Sequence, residues 1–144
     1  MDDDSASANK RTVDAAMSDW MGGSGTALQS LLSDDVEWTI TGHSLVAGTT
    51  HGRQELLARV LGPFGARFAR AGDPFKPRRI VRILAEGDAV VVQFDGAGTS
   101  NDGKPYTNSY VWILQMAGGK AIRVTAFFDS ISFDDLWRRV SPGQ

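Results

Sequence analysis

The sequence predicts a single α+β domain, with helices mainly in its first half and antiparallel strands in its second half. Apolar residues recur three or four positions apart between Val13 and Met21, which is the period of a helix. They alternate with polar residues from Val36 to Ile40, and four more strand-like segments follow in the second half, separated by turn residues. A length of 144 residues fits one domain with its own apolar core.

Three helices and two short strands are predicted in the first half. The first helix ends at Gly22-Gly23, and a short second helix covers residues 24–33. Strands are predicted at residues 36–40 and 45–50, and a third helix begins near Gly52 and is ended or kinked at Gly62-Pro63. Residues 1–8 are small, polar and acidic, so we predict a flexible tail there and a single domain over residues 9–144.

The second half is predicted to be a meander of strands at residues 80–85, 89–99, 105–116 and 121–129, closed by an amphipathic segment at 133–140. A two-residue turn at Asp102-Gly103 would place Asp95 opposite Tyr110. A similar turn at Gly118-Gly119 would place Asn108 opposite Asp129. A bulge in either hairpin would shift the pairing by one residue and exchange the two faces of the sheet.

This register gives the predicted sheet one polar and aromatic face and one apolar face. The first face carries Gln93, Asp95, Tyr106, Asn108, Tyr110, Trp112, Thr125, Phe127 and Asp129. Aromatic residues around a few polar groups are typical of a small-molecule pocket. The other face carries Val92, Phe94, Ile113 and Val124. The domain has too few helices to cover both faces, so we expect a homodimer that buries the apolar face.

Composition and charge argue against several other classes of protein. The net charge is -2 without a basic block, so nucleic acid is not an expected partner, and Lys76-Pro77-Arg78-Arg79 is interpreted as a solvated loop. No apolar run reaches the length of a membrane span, and the acidic N-terminus does not resemble a signal peptide, so we expect a cytoplasmic protein. The chain has no cysteine, and its two histidines lack metal-ligand spacing, so neither a metal nor a cofactor is expected.

Several segments resemble the SnoaL-like branch of the nuclear-transport-factor-2-like superfamily, which is related to ketosteroid isomerases and limonene-epoxide hydrolases. The matching segments are LSDDVEW (32–38), GTTHGR (48–53), GKPYTNSY (103–110) and GKAI (119–122), which leads to FFD (127–129). The resemblance implies a cone-like, curved, mixed but mainly antiparallel sheet. Three helices from the first half would roof a pocket within it, often in a dimer.

The resemblance also implies roles for individual residues. Asp129 matches the acidic residue that ends the last strand in limonene-epoxide hydrolases, and approximately the base of SnoaL-like cyclases. Gln93-Phe94-Asp95 resembles the Arg-x-Asp of the epoxide hydrolases, with glutamine in place of arginine. The two aspartates of the ketosteroid isomerases correspond to Ile40 and a position near Trp112, so steroid isomerisation by that mechanism is not expected.

Two functions follow as hypotheses. The first is a cofactor-independent isomerase, cyclase or hydrolase that uses acid/base catalysis on a small hydrophobic carbonyl or epoxide compound. Asp129 would be the base, Asp95 its partner, and Asn108 and Tyr110 the orienting donors. Ligand contacts would come from Trp38, His43, Gln93, Tyr106, Trp112 and Phe127. The alternative is a non-catalytic module of the same fold that binds a small hydrophobic ligand or a protein partner, with Asp129 as a helix cap and Asp95 as a solvated edge or bulge residue.

Overall fold

A computed structural model describes residues 2–142 and contains one curved, unclosed sheet of six strands. The strands are β1 (Leu32–Ile40), β2 (Gly48–His51), β3 (Lys76–Glu86), β4 (Ala89–Thr99), β5 (Pro105–Ala117) and β6 (Lys120–Phe128). Their order across the sheet is β2-β1-β6-β5-β4-β3, so β2 and β3 are the edge strands. Strands β1 and β6 are parallel, and the other neighbouring pairs are antiparallel. The predicted α+β class with a mixed, mainly antiparallel sheet is therefore confirmed.

Helices pack mainly against the concave, inner face of the sheet. They are α1 (Asp2–Met21), α2 (Ala27–Leu31), α3 (Arg53–Leu56), α4 (Gly62–Ala66) and α5 (Ser130–Arg139), and a π-helical segment, Leu57–Leu61, joins α3 to α4. The apolar stripe of α1 is buried as predicted, with Val13 and Met17 inaccessible to solvent. Among residues 2–142, no helix combines the length and the apolar character that a bilayer crossing needs.

The third predicted helix continues through Gly62-Pro63, so of the two predicted alternatives, an end or a kink, the end is wrong. The wider π turn just before this dipeptide lets the Gly62 N–H donate to the Leu57 carbonyl oxygen. A Cβ atom at Gly62 would lie 2.5 Å from that oxygen, so the close approach requires glycine. Pro63 then occupies the first turn of α4, where a missing N–H is tolerated.

Helix α1 begins at Asp2, within residues 1–8, whose flexibility stays a prediction. Two other predicted segments are wrong. Helix α2 ends at Leu31, because Leu32 already pairs with Ala121 of β6 and begins strand β1. The basic cluster from Lys76 to Arg79 is the first part of strand β3 and not a loop.

The β4–β5 hairpin is displaced by one residue from the predicted register. Thr99 pairs with Pro105, so residues 100–104 form a five-residue turn instead of a two-residue turn. The Ser100 N–H donates to the Lys104 carbonyl oxygen at 2.9 Å and closes this turn. Phe94, and not Asp95, therefore lies opposite Tyr110.

The β5–β6 hairpin begins as predicted, with Ala117 opposite Lys120, but its register shifts soon afterwards. Met116 pairs with Ala121 and Gln115 with Arg123, so β6 has one extra residue in a bulge. Phe128 therefore lies opposite Tyr110, and Phe127 is on the outer face.

These two shifts exchange the faces of β4 and β6 relative to the prediction. Val92, Phe94 and Val124 are fully buried in the core, so they do not form the apolar outer face that is predicted for a dimer. Of the four residues predicted for that face, Ile113 alone lies outside, with 39% of its surface exposed. The homodimer stays a prediction, but three of its four proposed contact residues, Val92, Phe94 and Val124, are wrong.

Candidate functional site

A cavity of about 350 Å³ lies between the inner face of the sheet and the helices. Eight aromatic side chains contribute to its wall: Trp20, Trp38, Phe64, Phe75, Tyr110, Trp112, Phe128 and Phe133. We call it the aromatic cavity. Its size and apolar lining are those of a site for a small organic molecule.

The aromatic rings that line the cavity pack against one another in stacked and edge-to-face arrangements. The Trp20 ring stacks on that of Trp112, with centroids 5.9 Å apart and planes 20° apart. Trp38 meets Trp112 edge to face at 5.1 Å and 77°. Because each of these rings packs against its neighbour, the cavity presents fixed aromatic faces, which favour a flat apolar ligand.

Polar side chains are scarce in the aromatic cavity. Apart from the three tryptophans, Gln29 and Tyr110 are the lining residues within residues 2–142 that have a polar group in their side chain. None of the lining side chains within residues 2–142 is a carboxylate, histidine, lysine or arginine. The lining therefore contains no group that would act as a general base near neutral pH.

The Tyr110 hydroxyl belongs to a buried hydrogen-bonded chain behind the cavity. Its oxygen lies 2.8 Å from the Tyr106 hydroxyl oxygen, and Asn108 Nδ2 donates to Tyr106 at 2.8 Å. Asn108 Nδ2 also donates to the Asp129 carbonyl oxygen at 3.0 Å. Asn108 Oδ1 accepts from the backbone N–H groups of Ser109 and Asp129, at 2.8 and 3.2 Å.

These partners determine which way the hydrogen bonds run. The two backbone N–H donors fix the Asn108 amide with its oxygen toward them, so its NH₂ group faces Tyr106, whose oxygen must accept. The buried Tyr106 hydrogen needs a partner of its own, and Tyr110 is the acceptor within reach. In this arrangement the Tyr110 hydrogen is not used in the bond to Tyr106.

Burial keeps both phenols in their neutral, donating form. It raises the pKa of Tyr106 to about 12, although the hydrogen bonds that Tyr106 makes with Tyr110 and Asn108 act in the opposite direction. Burial also raises the pKa of Tyr110 well above its ordinary value. Tyr110 is therefore a hydrogen-bond donor at physiological pH and not a phenolate base.

The structure separates Asp95 and Asp129, which the sequence predicts to share a pocket. Asp95 lies on the outer face of β4, where its carboxylate accepts from the Ser109 hydroxyl at 2.9 Å and lies 3.3 Å from Arg79 Nε. Asp129 is exposed and caps helix α5, with its carboxylate accepting from Ile131 N at 3.0 Å and Ser132 Oγ at 2.8 Å. The paired-carboxylate geometry is therefore wrong, because the register shifts turn Asp95 away from the cavity.

The predicted ligand contacts fall into three groups. Trp38 and Trp112 line the aromatic cavity, whereas Tyr106 is buried behind it. Gln93 and Phe127 are on the outer face of the sheet, because β4 and β6 are shifted from the predicted register. His43 is exposed in the segment between β1 and β2. Within the described residues, no group of three or more histidine, aspartate or glutamate side chains is placed to hold a metal ion.

Sequence reasoning missed most of the helix-borne cavity wall. Trp20 lies within the apolar stripe predicted for α1, and Phe64 follows Gly62-Pro63 at the end of the third predicted helix. Helical periodicity identifies a buried face but does not distinguish a filled core from a cavity wall, so neither residue is predicted as a ligand contact. Phe128 was missed because the bulge in β6 is not visible in the sequence.

A family model for the SnoaL-like domain matches residues 13–124. The chain belongs to the SnoaL-like domain family. Among curated proteins, none matches the sequence of this SnoaL-like domain.

Solved structures share the fold of this SnoaL-like domain over nearly its whole length. Bal32a, from a soil-derived mobile gene cassette, is 24% identical, with a TM-score of 0.75 over 93% of this chain and 99% of its own. TerC, co-crystallised with polyporic acid, is 27% identical, with a TM-score of 0.63 over 90% and 97%. A putative SnoaL-like polyketide cyclase from Jannaschia sp. CCS1 is 17% identical, with a TM-score of 0.70 over 91% and 92%.

Proposed function

We propose that this protein binds a small, flat, hydrophobic molecule that carries a carbonyl or epoxide oxygen, and that it does so without general-base catalysis. The observation that carries the proposal is the single phenol, Tyr110, in the otherwise mainly apolar wall of the aromatic cavity. Its hydroxyl hydrogen is available because the Asn108–Tyr106 chain supplies hydrogen bonds from the other side.

In this proposal the ligand is recognised in two ways, by the shape of the aromatic cavity and by one hydrogen bond. Stacked rings such as those of Trp20 and Trp112 contact the apolar faces of the ligand. Tyr110 donates to the ligand oxygen, which selects ligands by the position of that oxygen. The structure of TerC with polyporic acid supports a small organic ligand for a protein of this fold.

A cofactor-independent isomerase, cyclase or hydrolase is the second candidate function. Its support is the Tyr110 donor, which would polarise a substrate carbonyl or epoxide, together with the fold shared with a putative polyketide cyclase. Such a reaction also needs a proton acceptor, and the carboxylates of Asp95 and Asp129 are engaged outside the cavity. Binding without turnover therefore agrees better with the geometry.

The test compares two ligands that differ in one oxygen. We expect 2-acetylnaphthalene to quench the tryptophan fluorescence of the full chain and to bind about fivefold more tightly than 2-ethylnaphthalene, as one hydrogen bond implies. Tyr110→Phe should remove this preference and retain binding of both compounds. Ser109→Ala, on the outer face of the same strand, is the matched control and should retain the preference.

Two results would contradict the proposal. One is an unchanged preference for the ketone in Tyr110→Phe, and the other is a failure of both compounds to bind the wild-type chain. Turnover of the ketone or of a corresponding epoxide that is lost in Asp129→Asn would favour the enzyme instead.

A further inference from the structure

Arg67 is a buried arginine that lies directly after helix α4 and is only 4% exposed. Within residues 2–142, none of the ion pairs includes this side chain. Charged side chains are rarely buried this deeply without a partner of opposite charge. Other groups must therefore compensate the charge of Arg67.

Three backbone carbonyl groups supply this compensation. Arg67 Nη1 donates to the Pro63 carbonyl oxygen of α4 at 2.9 Å. Arg67 Nε and Nη2 donate to the carbonyl oxygens of Val140 and Trp137, at 2.7 and 3.1 Å. The last two oxygens lie at the C-terminal end of α5, where carbonyl groups lack partners within the helix and the helix dipole favours a positive charge. Arg67 thereby joins α4 to the end of α5.

The same guanidinium group begins a row of planar side chains that reaches the aromatic cavity. Its carbon atom lies 3.8 Å from the ring centroid of Trp137. Trp137 stacks on Phe133 at 5.3 Å and 20°, and Phe133 stacks on Phe64 at 5.6 Å and 5°. We call these four residues the Arg67 row. Phe64 and Phe133 line the aromatic cavity, whereas Arg67 and Trp137 do not.

The surface that Phe64 and Phe133 present to the cavity depends on how α4 and α5 are held. Phe64 is part of α4 and Phe133 is part of α5, so their rings stay parallel only if the two helices keep a fixed distance and angle. The hydrogen bonds of Arg67 hold the two helices together, and its contact with Trp137 supports the ring that stacks on Phe133. A lysine ammonium lacks the planar group with five donors that these contacts use.

We propose that Arg67 is a positioning residue for the aromatic cavity. It keeps the rings of Phe64 and Phe133 parallel and thereby sets the surface on which a planar ligand packs. Its effect on binding presupposes the flat ligand proposed above. If Arg67 only capped α5, its replacement would lower stability and leave the two rings and the ligand preference unchanged.

The first measurement follows the two rings in the full chain without ligand. In protein labelled on phenylalanine, we expect nuclear Overhauser effects between the ring protons of Phe64 and Phe133, which Phe64→Leu and Phe133→Leu would assign. Arg67→Lys retains the positive charge and should weaken or remove these effects. Trp137→Leu should do the same, because it keeps the carbonyl group that Arg67 bonds but removes the ring between Arg67 and Phe133.

The second measurement compares a flat ligand with a saturated one. 2-Acetyldecalin carries the same ketone as 2-acetylnaphthalene on a ring system that is not flat. We expect the wild type to prefer 2-acetylnaphthalene in calorimetric titrations, because only its rings stack on aromatic side chains. Arg67→Lys should lower the affinity for 2-acetylnaphthalene about fivefold and change that for 2-acetyldecalin by less than about twofold, as the loss of one aromatic contact implies.

Leu114→Ala is the matched control for a loss of stability. Leu114 is fully buried on β5 and does not line the aromatic cavity, so its truncation should lower the melting temperature at least as much as Arg67→Lys does. It should leave the Phe64–Phe133 effects and the preference for 2-acetylnaphthalene unchanged.

Two outcomes would overturn the role of Arg67. One is a wild-type Phe64–Phe133 signal in Arg67→Lys, and the other is an equal loss of ligand preference in Arg67→Lys and Leu114→Ala. If the wild type bound neither ketone, the proposed function would be wrong, and the ring measurement without ligand would still decide whether Arg67 positions the cavity wall. If Arg67→Lys did not fold, Trp137→Leu would decide by the same two measurements.

Discussion

The Asn108 side chain holds the backbone of Asp129 and not its carboxylate. Asn108 Nδ2 donates to the Asp129 carbonyl oxygen at 3.0 Å, and the Asp129 N–H donates to Asn108 Oδ1 at 3.2 Å. This pair of bonds fixes the junction between β6 and α5. The Asp129 carboxylate is thereby left to cap the helix.

Replacing Asn108 should destabilise the fold strongly. Asn108→Leu leaves the Asp129 backbone groups and the Tyr106 hydroxyl without their partners inside the protein. We expect the free energy of unfolding in urea to fall by about 2–4 kcal/mol, since each buried unsatisfied group costs about 1–3 kcal/mol. Thr107→Ala, at an exposed neighbouring position of β5, should change it by less than about 0.5 kcal/mol. A loss below about 1 kcal/mol in Asn108→Leu would mean that water replaces the amide.

Asp129 should affect stability and not ligand binding. Asp129→Ala removes the acceptor for Ile131 N and should lower the free energy of unfolding by about 1 kcal/mol. Asp129→Asn retains a good helix cap and should stay close to the wild type. Both variants should bind 2-acetylnaphthalene with unchanged affinity by fluorescence titration. If Asp129→Asn lost binding of 2-acetylnaphthalene but kept its stability, Asp129 would have a role in ligand binding, and this prediction would be wrong.

The elements of the fold could be predicted because periodicity is a local property of the sequence. The stripe of α1 and the limits of β4 agree with the prediction, and the chain order of the elements implied a SnoaL-like sheet. The candidate site depended instead on register, and side chains alternate between faces with every residue. A displacement of the β4–β5 pairing by one residue was therefore enough to move Asp95 out of the site.

The reason for this displacement is not local. Asp102-Gly103 is a good two-residue turn by itself, but the Asp102 carboxylate accepts hydrogen bonds from Ser100 and from Arg139, which belongs to helix α5. These contacts stabilise the five-residue turn 100–104 in place of the shorter one. A contact that spans 37 positions in the chain could not be inferred from the turn sequence.

The same contact makes stability depend on pH. Hydrogen bonds from Arg139 and Ser100 hold the pKa of Asp102 well below its ordinary value. The ionised carboxylate is thus favoured in the folded state, and its stabilising effect is complete above the unfolded pKa of about 3.9. The effect is lost as the pH falls below that value toward the lower folded pKa.

We therefore expect Asp102→Asn to lower the urea midpoint at pH 7 and to differ less from the wild type at pH 2.5. Asp95→Asn is the control, because its ion pair with Arg79 is exposed and worth about 1 kcal/mol or less. If the urea midpoints of Asp102→Asn and the wild type differed as much at pH 2.5 as at pH 7, the negative charge of Asp102 would not be what stabilises the turn.

Gly96 should be required for the shape of the aromatic cavity. A Cβ atom at Gly96 would lie 2.3 Å from the tip of the Phe75 ring, which lines the cavity. Gly96→Ala should therefore displace this ring, lower the free energy of unfolding by about 1–3 kcal/mol and weaken binding of 2-acetylnaphthalene. Gly22→Ala is the matched control, because Gly22 is not among the residues that line the cavity and a Cβ atom there would lie at least 3.4 Å from its neighbours. Equal effects of the two substitutions on thermal unfolding and affinity would contradict this role.

Strand β3 lies at an exposed edge of the sheet, which affects how readily the protein aggregates at high concentration. A long, regular edge strand offers unpaired N–H and C=O groups that template pairing with another molecule, the first step of aggregation. Strand β3 interrupts this template with Pro77, with the charges of Lys76, Arg78, Arg79 and Arg82, and with two breaks in its register against β4. The basic cluster that looks like a surface loop in the sequence thus disfavours pairing of this edge with a neighbouring chain.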